Sequence, residues 1–158
     1  MSGYFGITDS IRKAFNDTGR INTITHGDLS MVDLSRQTIY PLVHVVSQGA
    51  TFEGNVTDYT FGVTIMDIVD FNRDNPDDLT EPFYGNDNTQ DILHDLSTTI
   101  ELALDELRRG DLYSDLFRLA EGGVSGTAFI SDGENMLAGW NITLNTTTLS
   151  ASVSNGLQ

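Results

Sequence analysis

The stretch DNPDDLTEPFYGNDNTQD, residues 74–91, gathers six carboxylates without one basic residue. Such a cluster can hold a divalent cation, do acid–base work, or simply stay hydrated and repel other anions. A calcium loop of the EF-hand kind needs acids at alternate positions, a central glycine for a sharp turn and a closing glutamate. Counted from Asp74, the pattern meets Pro76 and Leu79 and finds glycine, not glutamate, at position 85. Counted from Asp77, it runs through Leu79, Glu81 and Phe83. The signature fails in both registers. Asp77, Asp78 and Glu81 are the residues a loosely bound calcium ion would use, and the plainer reading is a solvated acidic rim.

Nucleophilic and acid–base chemistry fares no better. The histidines are His26, His44 and His94, and none stands in a local motif with a nucleophile. His44 lies between valines and reads as a hydrogen-bonded core or interface residue; His94 falls off the apolar stripe of its segment, and His26 precedes a turn. GGVSGT approaches the G-x-S-x-G elbow but has Thr127 where glycine is required. EGGVSG has neither the spacing of a dinucleotide fingerprint nor the lysine of a phosphate loop. Pairs such as Asp67 with Asp70, or Asp105 with Glu106, arise by chance in a chain with 23 acids. No enzyme class, cofactor or metal is therefore expected. Phe83 and Tyr84, set between Pro82 and Gly85, either tuck under the domain or anchor a neighbouring chain.

The bulk numbers narrow the partners. Eight basic against 23 acidic residues give a net charge of −15 over 158 residues, with Lys13 the single lysine. Phosphate backbones are bound by Lys and Arg, so a surface this acidic repels nucleic acid. From Asp67 to Asp111 there are 13 acids against three arginines, a local balance of −10. The chain has no cysteine, which removes disulfides, thiolate metal sites and cysteine nucleophiles. No apolar run approaches the ~20 residues of a membrane span, and MSGYFGITDSIRKAF lacks the basic and apolar regions of a secretory leader. A soluble protein made in a cytoplasm is expected.

The elements that must position these residues follow from periodicity. TDSIRKAFNDT, 8–18, predicts a short helix capped by Thr8 or Asp9, with Ile11, Ala14 and Phe15 on one face and Gly19 at its end. INTITHGDLS predicts a short extended stretch. Leu42–Ser47 predicts a strand covered on both faces, closed by a turn at Gln48-Gly49. DYTFGVTIMDIVDF is the clearest strand, with Phe61, Val63 and Ile65 on one face and Thr60, Gly62 and Thr64 on the other. A long acidic loop, 72–90, separates it from a helix whose stripe is Ile92, Leu96, Ile100, Ala103, Leu104 and Leu107. LYSDLFRLAEGG predicts a helical turn or an extended link. VSGTAFIS and MLAGWNITLNTT predict a closing hairpin turned at Asp132-Gly133. The whole predicts a single α+β domain over 1–145: a mostly antiparallel sheet packed against one long helix plus a short N-terminal helix, with a polar tail over 146–158.

Taken in order, YPLVHVV, MDIVDFN, GNDNTQDILHDL, LRRGD and ENMLAGWNITLN resemble a family of small virion proteins of tailed phages of marine and Bacteroidetes-type bacteria. Its members have the α+β fold of tail-terminator and neck-completion proteins. The likeness covers about residues 20–145; none of the motifs is catalytic, and their order and spacing carry it. The resemblance implies a structural protein that forms a homo-oligomeric ring, usually a hexamer, at the tail–neck junction, where it caps the tail tube and joins it to the head connector. Its partners are then further copies of itself, the tail tube and the neck or connector proteins. DNA passes without specific binding, no membrane is involved, and the protein resides in the virion after assembly in the host cytoplasm.

Charge is compatible with that reading. An acidic surface formed by Asp74, Asp77, Asp78, Glu81 and Asp87, repeated around a channel, would keep passing DNA from sticking. Subunits in a ring meet head to tail, so two unlike patches must match. The expected patches are the loop with Phe83 and Tyr84, and a sheet edge. Two other classes fit the same acids: an acidic DNA mimic, and a small metal-dependent hydrolase.

Overall fold

The computed structural model describes residues 3–28, 39–69, 88–109, 117–119, 123–132 and 136–150. Helix α1 (Gly3–Asp17) turns Ile7, Ile11, Ala14 and Phe15 onto one fully buried stripe. It begins five residues before the expected start. Thr8 lies inside the helix, its hydroxyl donating to the Phe5 carbonyl at 3.1 Å, and caps nothing. The end falls where expected: Gly19 adopts φ +71°, and its N–H bonds the Asn16 carbonyl at 3.1 Å.

Strands β1 (Thr23–His26), β2 (Leu42–Phe52) and β3 (Val56–Ile68) follow, then α2 (Thr89–Arg109), β4 (Phe117–Leu119), β5 (Gly126–Asp132) and β6 (Met136–Leu149). The six strands form one sheet in the order β1-β2-β3-β6, and β4 and β5 share the far edge of β6. Every pairing is antiparallel except β1 with β2, where Thr23–His26 runs parallel to Leu42–Val45. The architecture is α+β.

Two sequence expectations are corrected and one alternative is decided. Gln48-Gly49 is not a turn: β2 runs on to Phe52, and the register slips between Ser47 and Gly49, as at a β-bulge. The reversal comes at Glu53–Asn55, where Gly54 takes φ +77° and the Glu53 N–H bonds the Val56 carbonyl at 3.0 Å. Of the two readings of LYSDLFRLAEGG, the extended one holds at 117–119, which is a strand. The tail expected from 146 instead begins as strand: β6 continues to Leu149, Thr146 and Thr148 are buried, and Val56 pairs with Leu149. Threonine is β-branched and suits a pleated surface, which a reading of polarity alone overlooks.

The alternation of β3 is as expected. Phe61, Val63 and Ile65 join Val43, Val45, Ala138, Ile142 and Leu144 on one face of the sheet. Against them lie the α1 stripe and Ile92, Leu96, Ile100, Ala103 and Leu107 of α2. The sheet therefore shares its core with both helices, and the expected picture of one long helix covering it holds only in outline. On the opposite face a smaller cluster unites Tyr40, Leu42, Met66 and Leu137.

Helix α2 is tied to the sheet by more than apolar contact. The indole N–H of Trp140 on β6 donates to the Leu93 carbonyl at 3.0 Å, fixing the first turns of α2 over the strand. Trp140→Phe keeps most of the ring area and deletes this bond. The expected loss is about 1–2 kcal/mol, read as a lower denaturation midpoint by far-UV circular dichroism.

Candidate interaction surfaces

Phe83, Tyr84, Asp74, Asp77, Asp78, Glu81 and Asp87 all lie outside the described residues. Among the described residues no group of three or more His, Asp or Glu side chains is placed to hold a metal ion.

The histidines separate clearly. His44 is buried in β2, its Nε2–H donating to the Gly27 carbonyl at 2.8 Å and its Nδ1 2.7 Å from the Thr25 hydroxyl. Both ring nitrogens are thus used to hold the β1 edge to β2, the structural role its setting between valines suggested. His94 is exposed on α2, and His26 is exposed at the end of β1.

The acidic character expected of the loop extends onto α2. Asp91, Asp95, Glu101 and Asp105 are all exposed. Their spacing places them within about a third of the helix circumference, away from the apolar stripe. One further carboxylate, Asp67 at the end of β3, is half-buried, and burial pushes its carboxyl above the usual range. The Ile68 N–H, donating at 2.8 Å, opposes that shift, and the nearby charge of Asp95 adds to it. A carboxyl raised in the folded state binds its proton more tightly than in the unfolded chain. It therefore lowers stability as pH climbs from the ordinary value of 3.8 through the raised one, and the penalty persists above both. Asp67→Asn keeps an acceptor for the Ile68 N–H and removes the charge. Its Tm at pH 7 should rise by no more than about 2 °C, because the group keeps much of its hydration. The gain should vanish in melts below the ordinary carboxylate range; a rise that persists there would contradict this origin.

A second surface escaped the sequence reading. Tyr4 of α1 packs edge-on against Tyr59 at 5.7 Å between ring centroids and lies 5.6 Å from Phe61. Phe5 continues the row from Tyr4 at 6.1 Å, and Phe52 meets Tyr59 at 6.4 Å. Phe61 is fully buried beneath this row, yet Phe5 and Phe52 are 70% and 75% exposed. Beside Tyr4 and Phe5 opens a cleft of about 200 Å³ lined by these two and by Thr8, Arg12, His26 and Val45. The local signal was the aromatic triplet Phe52, Tyr59 and Phe61 around a glycine turn; its union with Tyr4 and Phe5 is a tertiary event.

The sheet face turned away from the helices is polar over much of its length. Thr60 and Thr64 of β3 donate to Asn145 and Asn141 of β6 at 3.1 and 2.6 Å, and Thr147 donates to Asp58 at 2.6 Å. These cross-strand pairs satisfy one another, and among the described residues no helix packs on this part of the face, beyond the cluster of Tyr40, Leu42, Met66 and Leu137. At the sheet's edge, β5 pairs with β6 alone among the described residues, and its Gly126–Ala128, Ile130 and Ser131 are exposed. No described helix is long and apolar enough to cross a membrane.

No family model matches the chain, and no curated protein matches it in sequence.

Proposed function

We propose that this chain is a structural subunit of a tailed-phage particle, forming a ring at the tail–neck junction that caps the tail tube and joins it to the connector. The observation that carries the reading is the presence of two unlike surfaces on one small domain. One is acidic, along the outer side of α2; the other is aromatic with a basic component, around α1 and the β2–β3 hairpin. Head-to-tail contacts need such a pair, whereas a two-fold dimer uses one patch twice. In this reading α2 is the principal layer over the sheet, and its carboxylates repeated around a ring would keep DNA from adhering to the channel or rim. The virion is the place of action, and the protein performs no catalysis.

Mass photometry and negative-stain images of the purified protein, alone and mixed with tail tubes, test this directly. Closed rings, or rings seated on tube ends, are expected. A strict monomer that also ignores tubes would overturn the assignment. The carboxylate row on α2 also favours a second reading, an acidic mimic of DNA. Competition with duplex DNA for a basic DNA-binding protein separates the two, since a ring subunit should show none.

A further inference from the structure

We propose that the cleft beside Tyr4 and Phe5 is the socket for residues 81–84, Glu-Pro-Phe-Tyr, of a neighbouring copy of this chain. The proposal rests on the ring reading and names both halves of its subunit contact, replacing the sheet edge as the acceptor.

The cleft has the right size and chemistry. At about 200 Å³ it exceeds the cavity of about 150 Å³ known to admit a benzene ring. Its lining includes the rings of Tyr4 and Phe5 and the apolar Val45, surroundings in which an incoming ring can pack edge-to-face or offset. Phe5 lines the cleft and is exposed at one end of an aromatic row whose other end, Phe52, is exposed as well, and large rings left in water together mark an interaction surface. The floor is already built, because Tyr4 is braced on Tyr59 and Phe61. On the cleft side, little ordering is needed on binding.

Charge selects the occupant. Residues 1–28 hold three acids and three bases, Arg12, Lys13 and Arg20, in a chain whose net charge is −15. This end carries no net charge while residues 29–158 carry the whole −15, so an acidic segment meets little repulsion here. Arg12 lines the cleft, and its contact with Asp9 is long, 3.4 Å, between two well-exposed side chains. Such a pair is weak and leaves the guanidinium with donors for a second carboxylate. Residues 74–87 carry five acids, no base, and the adjacent rings Phe83 and Tyr84. No other stretch of this chain joins adjacent aromatic rings to so dense a run of acids. Glu81 would meet Arg12 while one of the two rings enters the cleft.

Two variants make the contact testable. Phe5→Ala with Arg12→Glu breaks the socket; Phe83→Ala with Tyr84→Ala breaks the plug. The socket substitutions lie on exposed positions, and unchanged denaturation midpoints in both variants verify intact folding. In sedimentation velocity each variant alone should self-associate at least tenfold more weakly than the unaltered chain. Mixed together, the intact plug of one fits the intact socket of the other, giving a one-to-one dimer that grows no further. Either variant assembling as well as the unaltered chain overturns the proposal, and so does a mixture that stays monomeric, as it would if each segment filled its own chain's cleft. The ring reading is judged separately. If the mixture dimerises but the unaltered chain forms only open chains or pairs, the contact stands and the ring falls. Closed rings formed equally by both variants leave the ring standing and remove this contact.

Discussion

Gly139→Ala should lose about 3 kcal/mol or more of stability, a large share of the 5–15 kcal/mol typical of a domain, and yield little folded protein. Gly139 sits in β6 with a strand on each side, paired to Met66 of β3 and to Phe129 of β5. A methyl group there would overlap the Ile65 carbonyl oxygen and stand 2.8 Å from the Met66 Cα. Both obstacles are backbone, so no side chain can swing aside. Relief requires β3 to part from β6, along a ladder that runs from Val56–Leu149 to Ile68–Leu137. Gly62→Ala is the matched control in the adjacent strand. Its methyl group would meet the amide tip of Gln48 at 2.6 Å, and Gln48 is exposed and free to rotate away. That variant should fall within about 1 kcal/mol of the parent. Paired urea melts measure the contrast; equal midpoints would show that the strands are not so closely apposed.

Where the sequence was informative, one physical signal dominated locally. The α2 stripe is legible because Ile92, Leu96, Ile100, Ala103 and Leu107 repeat at helical spacing over about four turns and all are buried, with Leu104 partly buried beside them. The β3 alternation and the β5–β6 hairpin are legible for the same reason. The failures lie where tertiary contact outweighs local preference. The first turn of α1 contains Gly3, Tyr4, Phe5 and Gly6, poor helix formers that made Thr8 look like a cap. Tyr4 is instead held against Tyr59 and Phe61, and Ile7 stands one turn before Ile11 in the core. Bulges and turns draw on the same residues, so Gln48-Gly49 reads as a reversal until its partner strand is known.

The interaction surfaces divide along the same line. The carboxylate excess is a property of composition and is visible at once, including its concentration between Asp67 and Asp111. The cleft is assembled from α1, β1 and β2, whose parallel β1–β2 pairing has no local sequence signature. The sheet edge looked like the natural acceptor because edges are generally adhesive. Here Phe5 and Phe52, exposed at the two ends of one aromatic row, leave more apolar surface in water than Ile130 does on β5.

Phe61→Ala is expected to cost about 3–5 kcal/mol, the loss typical of a deleted core aromatic. Phe61 is fully buried at the centre of β3, paired with Ser47 and Leu144 and packed into the cluster shared by both helices. Its ring also lies 5.6 Å from Tyr4 and 6.4 Å from Tyr59, so it is the buried base of the aromatic row. Removing it leaves a void that a sheet hydrogen-bonded on both sides can collapse around only in part. Phe52→Ala, at the exposed end of the same row, gives up little buried area and should shift the denaturation midpoint by less than about 0.5 kcal/mol. The comparison separates fold from surface. If the row serves assembly, Phe52→Ala and Phe5→Ala leave the monomer stable while Phe61→Ala loosens the floor under Tyr4 and weakens both stability and self-association. Equal destabilisation by Phe61→Ala and Phe52→Ala would mean that the exposed rings belong to the core after all, and that the aromatic row has no side left to offer a partner.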